Sequence, residues 1–253
     1  MKLTFLGTGT SQGVPVITCK CKVCKSDDER DKRLRTSVLI EVDETNIVID
    51  SGPDFRQQML RENVQKLDAI LFTHEHKDHT AGLDDVRAFN YTQRKPMDVY
   101  CEERVSNSLK REFAYVFSEF KYPGLPKINI NIIENKIFTV DGVNIEPIRV
   151  KHLKLPVFGF KINDLAYITD ANYISEQEKE KIKGVKVLVV NALRREEHLS
   201  HFTLSQALQL IKEVKPERAY LTHLSHAMGL YNDIKDELPE NVFFAYDGLG
   251  LEI

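Results

Sequence analysis

The sequence predicts an α/β sandwich, two β-rich layers with helices outside. Two observations carry the prediction. Short apolar, β-branched runs bounded by Gly, Pro or charged residues recur along the chain. They are followed by helical segments once in the first half and again in the second, the order expected of βα units packed in layers. The 253 residues, 42% hydrophobic and 29% charged, are an ordinary globular composition. A chain of this length buries roughly 70–75% of its unfolded surface, so it needs no staples to fold.

The elements follow in order. Residues 2–6 (Lys-Leu-Thr-Phe-Leu) form a strand ended by Gly7-Thr8-Gly9-Thr10. Residues 11–35 are a loop holding Gly13, Pro15, three cysteines and a charge run. Strands at 36–42 and 46–50 flank a polar turn, and 54–62 suits a short helix. The apolar strand 69–73 runs straight into His74-Glu75-His76-Lys77-Asp78-His79. A helix at 84–93, a strand at 97–101 and a helix at 102–113 come next. The middle is broken by Tyr122-Pro123-Gly124-Leu125-Pro126, and strands resume only at 136–140, 143–150, 157–162 and 165–169. Helix 175–183, strand 186–190, helix 203–214, strand 218–222, helix 233–238 and strands 242–246 and 249–253 complete the chain. With no repeat or linker in view, one domain over 1–253 is expected, with a Cys-rich loop at about 11–35.

Several classes are excluded. The N-terminal apolar stretch is too short for a signal peptide, and no run approaches the ~20 residues of a membrane helix. Four cysteines, three of them within six residues, are not a secreted disulfide framework. These features predict a cytoplasmic, reducing setting with no membrane partner. With 35 basic and 38 acidic residues the net charge is −3, which gives no general attraction to nucleic acid.

The histidines are the sharpest signal. There are eight, none before residue 74. His74-x-His76-x-Asp78-His79 places four ligand-type residues in six positions directly after an apolar strand. Side chains i and i+2 at a strand end share a face, so His74 and His76 can converge on one ion. Asp78 and His79, past the strand, can turn toward a second. Neutral imidazole and carboxylate suit Zn²⁺, Mn²⁺ or Fe. His152, Asp170 and His223 each follow a predicted strand. Taken alone, His152 reads as a surface histidine and Asp170 as a turn or N-cap residue. Their weight comes from joining the cluster.

These residues, with Gly7-Thr8-Gly9-Thr10 and Asp50-Ser51-Gly52, resemble the metallo-β-lactamase fold superfamily of hydrolases from Leu3 to His226. The resemblance implies an αββα four-layer sandwich, two mixed sheets flanked by helices, with two metals at one edge. It implies His74, His76 and His152 on metal one and Asp78, His79 and His223 on metal two, with Asp170 bridging. Asp50 would orient a ligand histidine and, with Asp78, is counted among the catalytic groups.

Cys19-x-Cys21-x-x-Cys24 offers three thiolates in one loop, and a closed zinc site needs a fourth ligand. His226 in Thr-His-Leu-Ser-His is the better candidate, because Cys101 sits on an apolar strand as an ordinary buried cysteine. This loop makes the chain resemble the PhnP-like phosphodiesterases, which cleave cyclic ribose phosphates and are similar to tRNA 3′-processing endonucleases. The resemblance implies His201 as the acid protonating the leaving alkoxide, with His198 left as a surface residue.

The expected activity is metal-dependent hydrolysis of a small or cyclic phosphodiester by a hydroxide bridging two metals, Zn or Mn with Fe as a third candidate. One structural Zn completes the cofactors. A tRNA 3′-processing endonuclease is the first alternative, and RNA is not favoured as partner because residues 121–136 form no long basic arm. A lactonase or thioesterase of the same fold is a second. A non-catalytic zinc-binding module is a third, disfavoured by the intact second-metal set. A homodimer is an expectation carried by relatives only.

Overall fold

The computed structural model describes residues 1–119 and 122–253. In chain order its elements are β1 (Lys2–Gly7), β2 (Ser37–Val42), β3 (Thr45–Ile49), α1 (Phe55–Arg61), β4 (Ala69–Leu71), α2 (Lys77–Thr80), α3 (Arg87–Gln93), β5 (Met97–Cys101), α4 (Glu103–Glu112) and α5 (Ala114–Phe117). Then come β6 (Ile128–Ile132), β7 (Phe138–Val140), β8 (Val143–His152), β9 (Leu155–Ile162), β10 (Leu165–Ile168), β11 (Tyr173–Ile174), α6 (Glu176–Ile182) and β12 (Val187–Asn191). The chain closes with α7 (Leu204–Val214), β13 (Arg218–Thr222), α8 (Tyr231–Ile234), β14 (Val242–Phe244) and β15 (Gly250–Glu252).

Two sheets form among the described residues. The first has the order β15-β1-β2-β3-β4-β5-β6, antiparallel up to β3 and parallel beyond it. The second has the order β11-β8-β9-β10-β12-β13-β14 and makes the same switch at β10, with β7 paired to β8. Both sheets are therefore mixed, and strand alternation sorts their side chains into layers. Ile47 and Ile49 of β3 meet Phe158, Phe160, Val187 and Val189 between the sheets. Val48, one residue out of phase, packs outward on Phe55, Met59 and Phe89 of α1 and α3. Leu188 and Val190 do likewise on the second sheet against Leu210 and Ile211 of α7. A strand buried on both faces reads as the continuous apolar run Val-Leu-Val-Val. The result is the αββα sandwich.

α7 forms where its sequence signals agree. Thr203 caps it in a capping box with Gln206, and Leu204, Ala207, Leu210, Ile211 and Val214 place one apolar stripe on the core.

The segment after β1 joins the two sheets through main-chain hydrogen bonds. After β1, Gly9 bridges both Arg35 and Leu224. Leu224 N–H donates to the Thr8 carbonyl at 2.8 Å, and Thr10 N–H donates to the Leu224 carbonyl at 3.1 Å. A Cβ on Gly9 would lie 2.9 Å from the carbonyl oxygens of Arg33 and Leu34, so only glycine allows this approach. The turn is braced by buried Arg33, which donates to Thr8 Oγ1 at 2.8 Å, and by Asp247, which accepts from Thr8 N–H and Oγ1–H.

The structure departs from the sequence reading in several places, among them α5 (Ala114–Phe117), which lies past the end of the helix read at 102–113. β6 occupies 128–132, where no strand was expected; its Ile-Asn alternation carries period 2, but it is a half-exposed edge strand behind Pro126. The two-residue β11 was also missed. β4 ends at Leu71, so the histidine run lies in the following loop and in α2, whose N-cap is His76. Strand alternation is thus not what brings His74 and His76 together. Lys121, the first residue of the stretch read as lacking a basic arm, lies outside the described residues. Among the described residues no helix is long and apolar enough to cross a membrane.

Candidate metal centre

The predicted site residues gather where strands of both sheets end. Asp50 follows β3, Asp170 lies two residues beyond β10, and His223 follows β13. All three adopt left-handed backbone, with φ of 64°, 55° and 55°. Such residues cost about 1–3 kcal/mol each and persist where the surroundings over-determine them. Here the turn swings each side chain away from its strand and toward a common point. His152 closes β8 on the same edge. Gly52 lets the loop after Asp50 press on α2, since a Cβ there would lie 2.1 Å from the Asp78 carbonyl oxygen.

Asp170 is the hub. Its Oδ2 lies 3.2 Å from His79 Nε2 and its Oδ1 3.3 Å from His223 Nε2. Asp78 Oδ2 lies 3.2 Å from His79 Nε2 and 4.0 Å from His223 Nε2. Donor atoms of Asp78, His79, Asp170 and His223 thus fall within 4.8 Å of one another. A second group within that distance is His152, Asp170 and His201. His74 and His76 stand beside these groups, their ring centroids 4.5 Å apart and 5.8 and 5.2 Å from that of His152. The second-metal set is therefore drawn together tightly. The first-metal set is adjacent by its rings, with His201 lying closer to the hub than the sequence indicated.

A shell behind these groups fixes them. Asp50 Oδ2 lies 2.6 Å from His79 Nδ1 and accepts from Thr73 Oγ1 at 2.8 Å, while Thr73 Oγ1 lies 2.9 Å from His74 Nδ1. One carboxylate thereby orients two imidazoles so that their Nε2 atoms point inward. Thr73 was missed by the sequence reading, although it directly precedes the histidine run. The Ser200 carbonyl accepts from His152 at Nδ1, 2.9 Å. Arg104 ties Glu75 to the Pro156 carbonyl, anchoring the loop between His74 and His76.

The carboxylates and imidazoles of the centre shift one another's protonation. Burial would push the Asp170 carboxyl up, yet His223 and His79 hold it well below the usual carboxylate range. Asp78 is held down in the same way by His79 and His223 against its own burial. Burial would lower His79, but Asp78, Asp170 and Asp50 raise it well above an ordinary histidine. Burial pushes His74 down. The Nε2 atoms of His74 and His79, both nitrogens of His223 and Nδ1 of His201 are buried without a hydrogen bond among the described residues. Buried polar atoms rarely stay unpaired, and two carboxylates, Asp78 and Asp170, facing orphaned imidazole nitrogens fit divalent metal ions.

His201 stands beside the centre, and the reading of His198 as a surface residue needs correction. His201 is buried, 3.8 Å from Asp170 Oδ1, and does not cap α7, whose N-cap is Thr203. Burial, then the neighbouring His223, pushes it down to about 3, so it is a neutral imidazole near pH 7 in the free protein. His198 is half-buried and not a surface residue, with its ring 5.0 Å from that of His201. Arg194 and Arg195 spend their guanidinium groups on the carbonyls of Glu196, Glu197 and Met228 and on Glu237.

The cysteine loop closes on the same part of the chain. Sulfurs of Cys19, Cys21 and Cys24 lie 3.2, 3.5 and 3.4 Å from His226 Nδ1. The backbone N–H of Cys24 pulls the Cys21 thiol down to about 6, and burial pushes Cys24 up to about 11. Asp31 accepts from Tyr231 N–H at 2.8 Å, and Arg30 stacks 4.4 Å from the Tyr231 ring, pinning the loop to the segment after His226. Three thiols and one imidazole fit a closed zinc site. Cys101 is buried, as expected. Cys21→Ser is expected to remove about one zinc per chain and lower Tm by about 5–10 °C while sparing metal at the Asp170 centre. Metal analysis with thermal melts checks this, and loss of metal from the Asp170 centre at unchanged Tm would contradict the division into two sites.

Residues 45–224 match the family described as the beta-lactamase superfamily domain. A crystal structure of a diphosphatase from the PhnP family superposes with a TM-score of 0.93 and 35% identity, covering 100% of this chain and 97% of that one. The chain belongs to the beta-lactamase superfamily, in its PhnP-like branch. Members of this branch share the metallo-β-lactamase hydrolase fold described above. A protein named octanoyltransferase from Porphyromonas gingivalis is 41% identical over 252 residues. The match takes in 98% of this chain but spans 51% of that relative's length. Ribonuclease Z of Borreliella burgdorferi is 24% identical over 298 residues, covering 87% of this chain and 92% of that one.

Proposed function

We propose that the chain is a metal-dependent phosphodiesterase acting on a small or cyclic phosphodiester, with two divalent metals, Zn or Mn, at the Asp170 centre and one zinc in the cysteine loop. The observation that carries this is Asp170, the one residue common to both donor groups of the centre among the described residues, which supports a reading with two ions. His79, His223 and Asp78 would hold one, and His74, His76 and His152 the other. Bound metals would supply Lewis acidity and a water acidic enough to ionise near neutral pH. The chain's own residues orient and hold protons. Asp50 fixes the tautomer of His79, Thr73 that of His74 and the Ser200 carbonyl that of His152. His201 is neutral in the free protein. A phosphodiester's negative charge beside it favours its protonated form, which can then give a proton to the leaving oxygen.

The PhnP-family diphosphatase and ribonuclease Z support phosphoryl chemistry. A second reading, hydrolysis of an acyl ester or thioester, draws on the relative named octanoyltransferase. The test is a hydrolysis panel with metal-reconstituted protein: a chromogenic phosphodiester, a cyclic ribose phosphate, a precursor tRNA, a lactone and a thioester. Turnover of the small phosphodiesters with Mn²⁺ or Zn²⁺, abolished by chelation, is expected. No phosphodiester turnover with either metal sinks the proposal, and thioester or lactone turnover in its place establishes the second reading.

A further inference from the structure

Two exposed leucines lie one and two residues from histidines of the metal centre. Leu153 forms, with Lys154, the two-residue turn between His152 and its cross-strand partner Leu155. Its φ is 57°, the left-handed region that hairpin turns normally give to Asn, Asp or Gly. It is also 53% exposed, so neither backbone preference nor burial accounts for a leucine there. Leu199, two residues before His201, is 80% exposed. One side chain ties their two backbones together. Asn172 accepts from Leu153 N–H at 2.8 Å through Oδ1 and donates to the Leu199 carbonyl at 3.0 Å through Nδ2. The next rung, His152 Nδ1 to the Ser200 carbonyl, joins the same two loops at 2.9 Å.

A strained, exposed apolar residue beside an intended metal ligand points from the outlier to function. We infer that Leu153 and Leu199 form an apolar rim that receives a flat, uncharged organic group of the substrate, of the nucleobase class, while its phosphate sits at the Asp170 centre. This rests on the phosphodiesterase reading and deepens it. Continuity with the site argues for a substrate group: each leucine is one or two residues from a histidine of the centre. Openness argues for a ring. Side chains this exposed cover one face of a ligand and do not enclose it, which favours a planar group over an alkyl chain needing burial on all sides. Exposed Lys154 places a cation beside that face, suited to a phosphate-bearing ligand.

Calorimetry on the metal-loaded protein tests it with adenosine 5′-monophosphate against ribose 5-phosphate, probes that differ by the base. The wild type is expected to bind the nucleotide about tenfold more tightly. The double variant Leu153→Asn/Leu199→Ala is expected to bring that ratio close to one, through weaker nucleotide binding. Tm should hold or rise, because Asn accepts the left-handed turn. Leu199→Ala alone, on an exposed loop, should give an intermediate ratio. Equal affinities in the wild type, or a ratio kept in the double variant, overturns the inference. A protein that shows the preference, loses it in the variant and hydrolyses no phosphodiester refutes the phosphodiesterase reading and leaves the rim in place.

Discussion

Asp170→Asn is expected to lower kcat/KM for a phosphodiester by about a thousandfold, the equivalent of roughly 4 kcal/mol. The change keeps the volume, and Asn tolerates the left-handed φ of 55°. It removes the negative charge that His79 and His223 face at 3.2 and 3.3 Å. Metal analysis should show the variant holding about one ion fewer at the centre. A variant with full metal content and near-normal turnover would show that the carboxylate is not shared between ions. The metal-free proteins carry a pH signature. A carboxyl held below its unfolded value stabilises the fold fully above about pH 4 and ceases to do so as pH falls through the folded value. The stability gap between metal-free wild type and Asp170→Asn should therefore be widest above that point and close in acid.

His201→Ala separates two roles the geometry leaves adjacent. A proton donor matters most when the leaving oxygen is basic. Its loss should lower kcat by about 10²–10³ for an alkyl leaving group and far less for p-nitrophenolate, which leaves unaided. Metal content should be unchanged. His201 also lies among the donor atoms around Asp170, so a ligand role predicts equal loss for both leaving groups and a fall in bound metal. Either of those outcomes removes His201 as the acid.

The sequence showed the layers because the strands buried on both faces, such as Val187–Asn191, are short apolar runs rich in β-branched residues. It showed the metal-binding chemistry because His74, His76, Asp78 and His79 are adjacent in the chain. It did not show why they converge. A three-residue β4 cannot aim side chains five residues later, and the work falls to α2 and to Asp50 acting through Thr73. His198 and His201 were hard to place because burial there depends on a loop held from β8 and from Asn172, contacts 27 to 48 residues away in sequence. The β6 edge strand was overlooked because Asn129 and Asn131 interrupt its apolar run just behind Pro126. The fourth partner of the three cysteines, 202 to 207 residues from them in the chain, could be named only because His-x-x-His puts one histidine beyond the centre.

The backbone bridge at Gly9 has a mechanical meaning. It fastens the end of β1 to residue 224, next to His223, so the two sheets cannot slide past each other at that edge without breaking main-chain hydrogen bonds. His223 is thereby referenced to the first sheet through peptide groups as well as through the side chains that fill the space between the layers. Repacking that interior is expected to lower the melting temperature well before it moves His223 against the first sheet, so stability and the spacing of the site residues can drift apart under mutation.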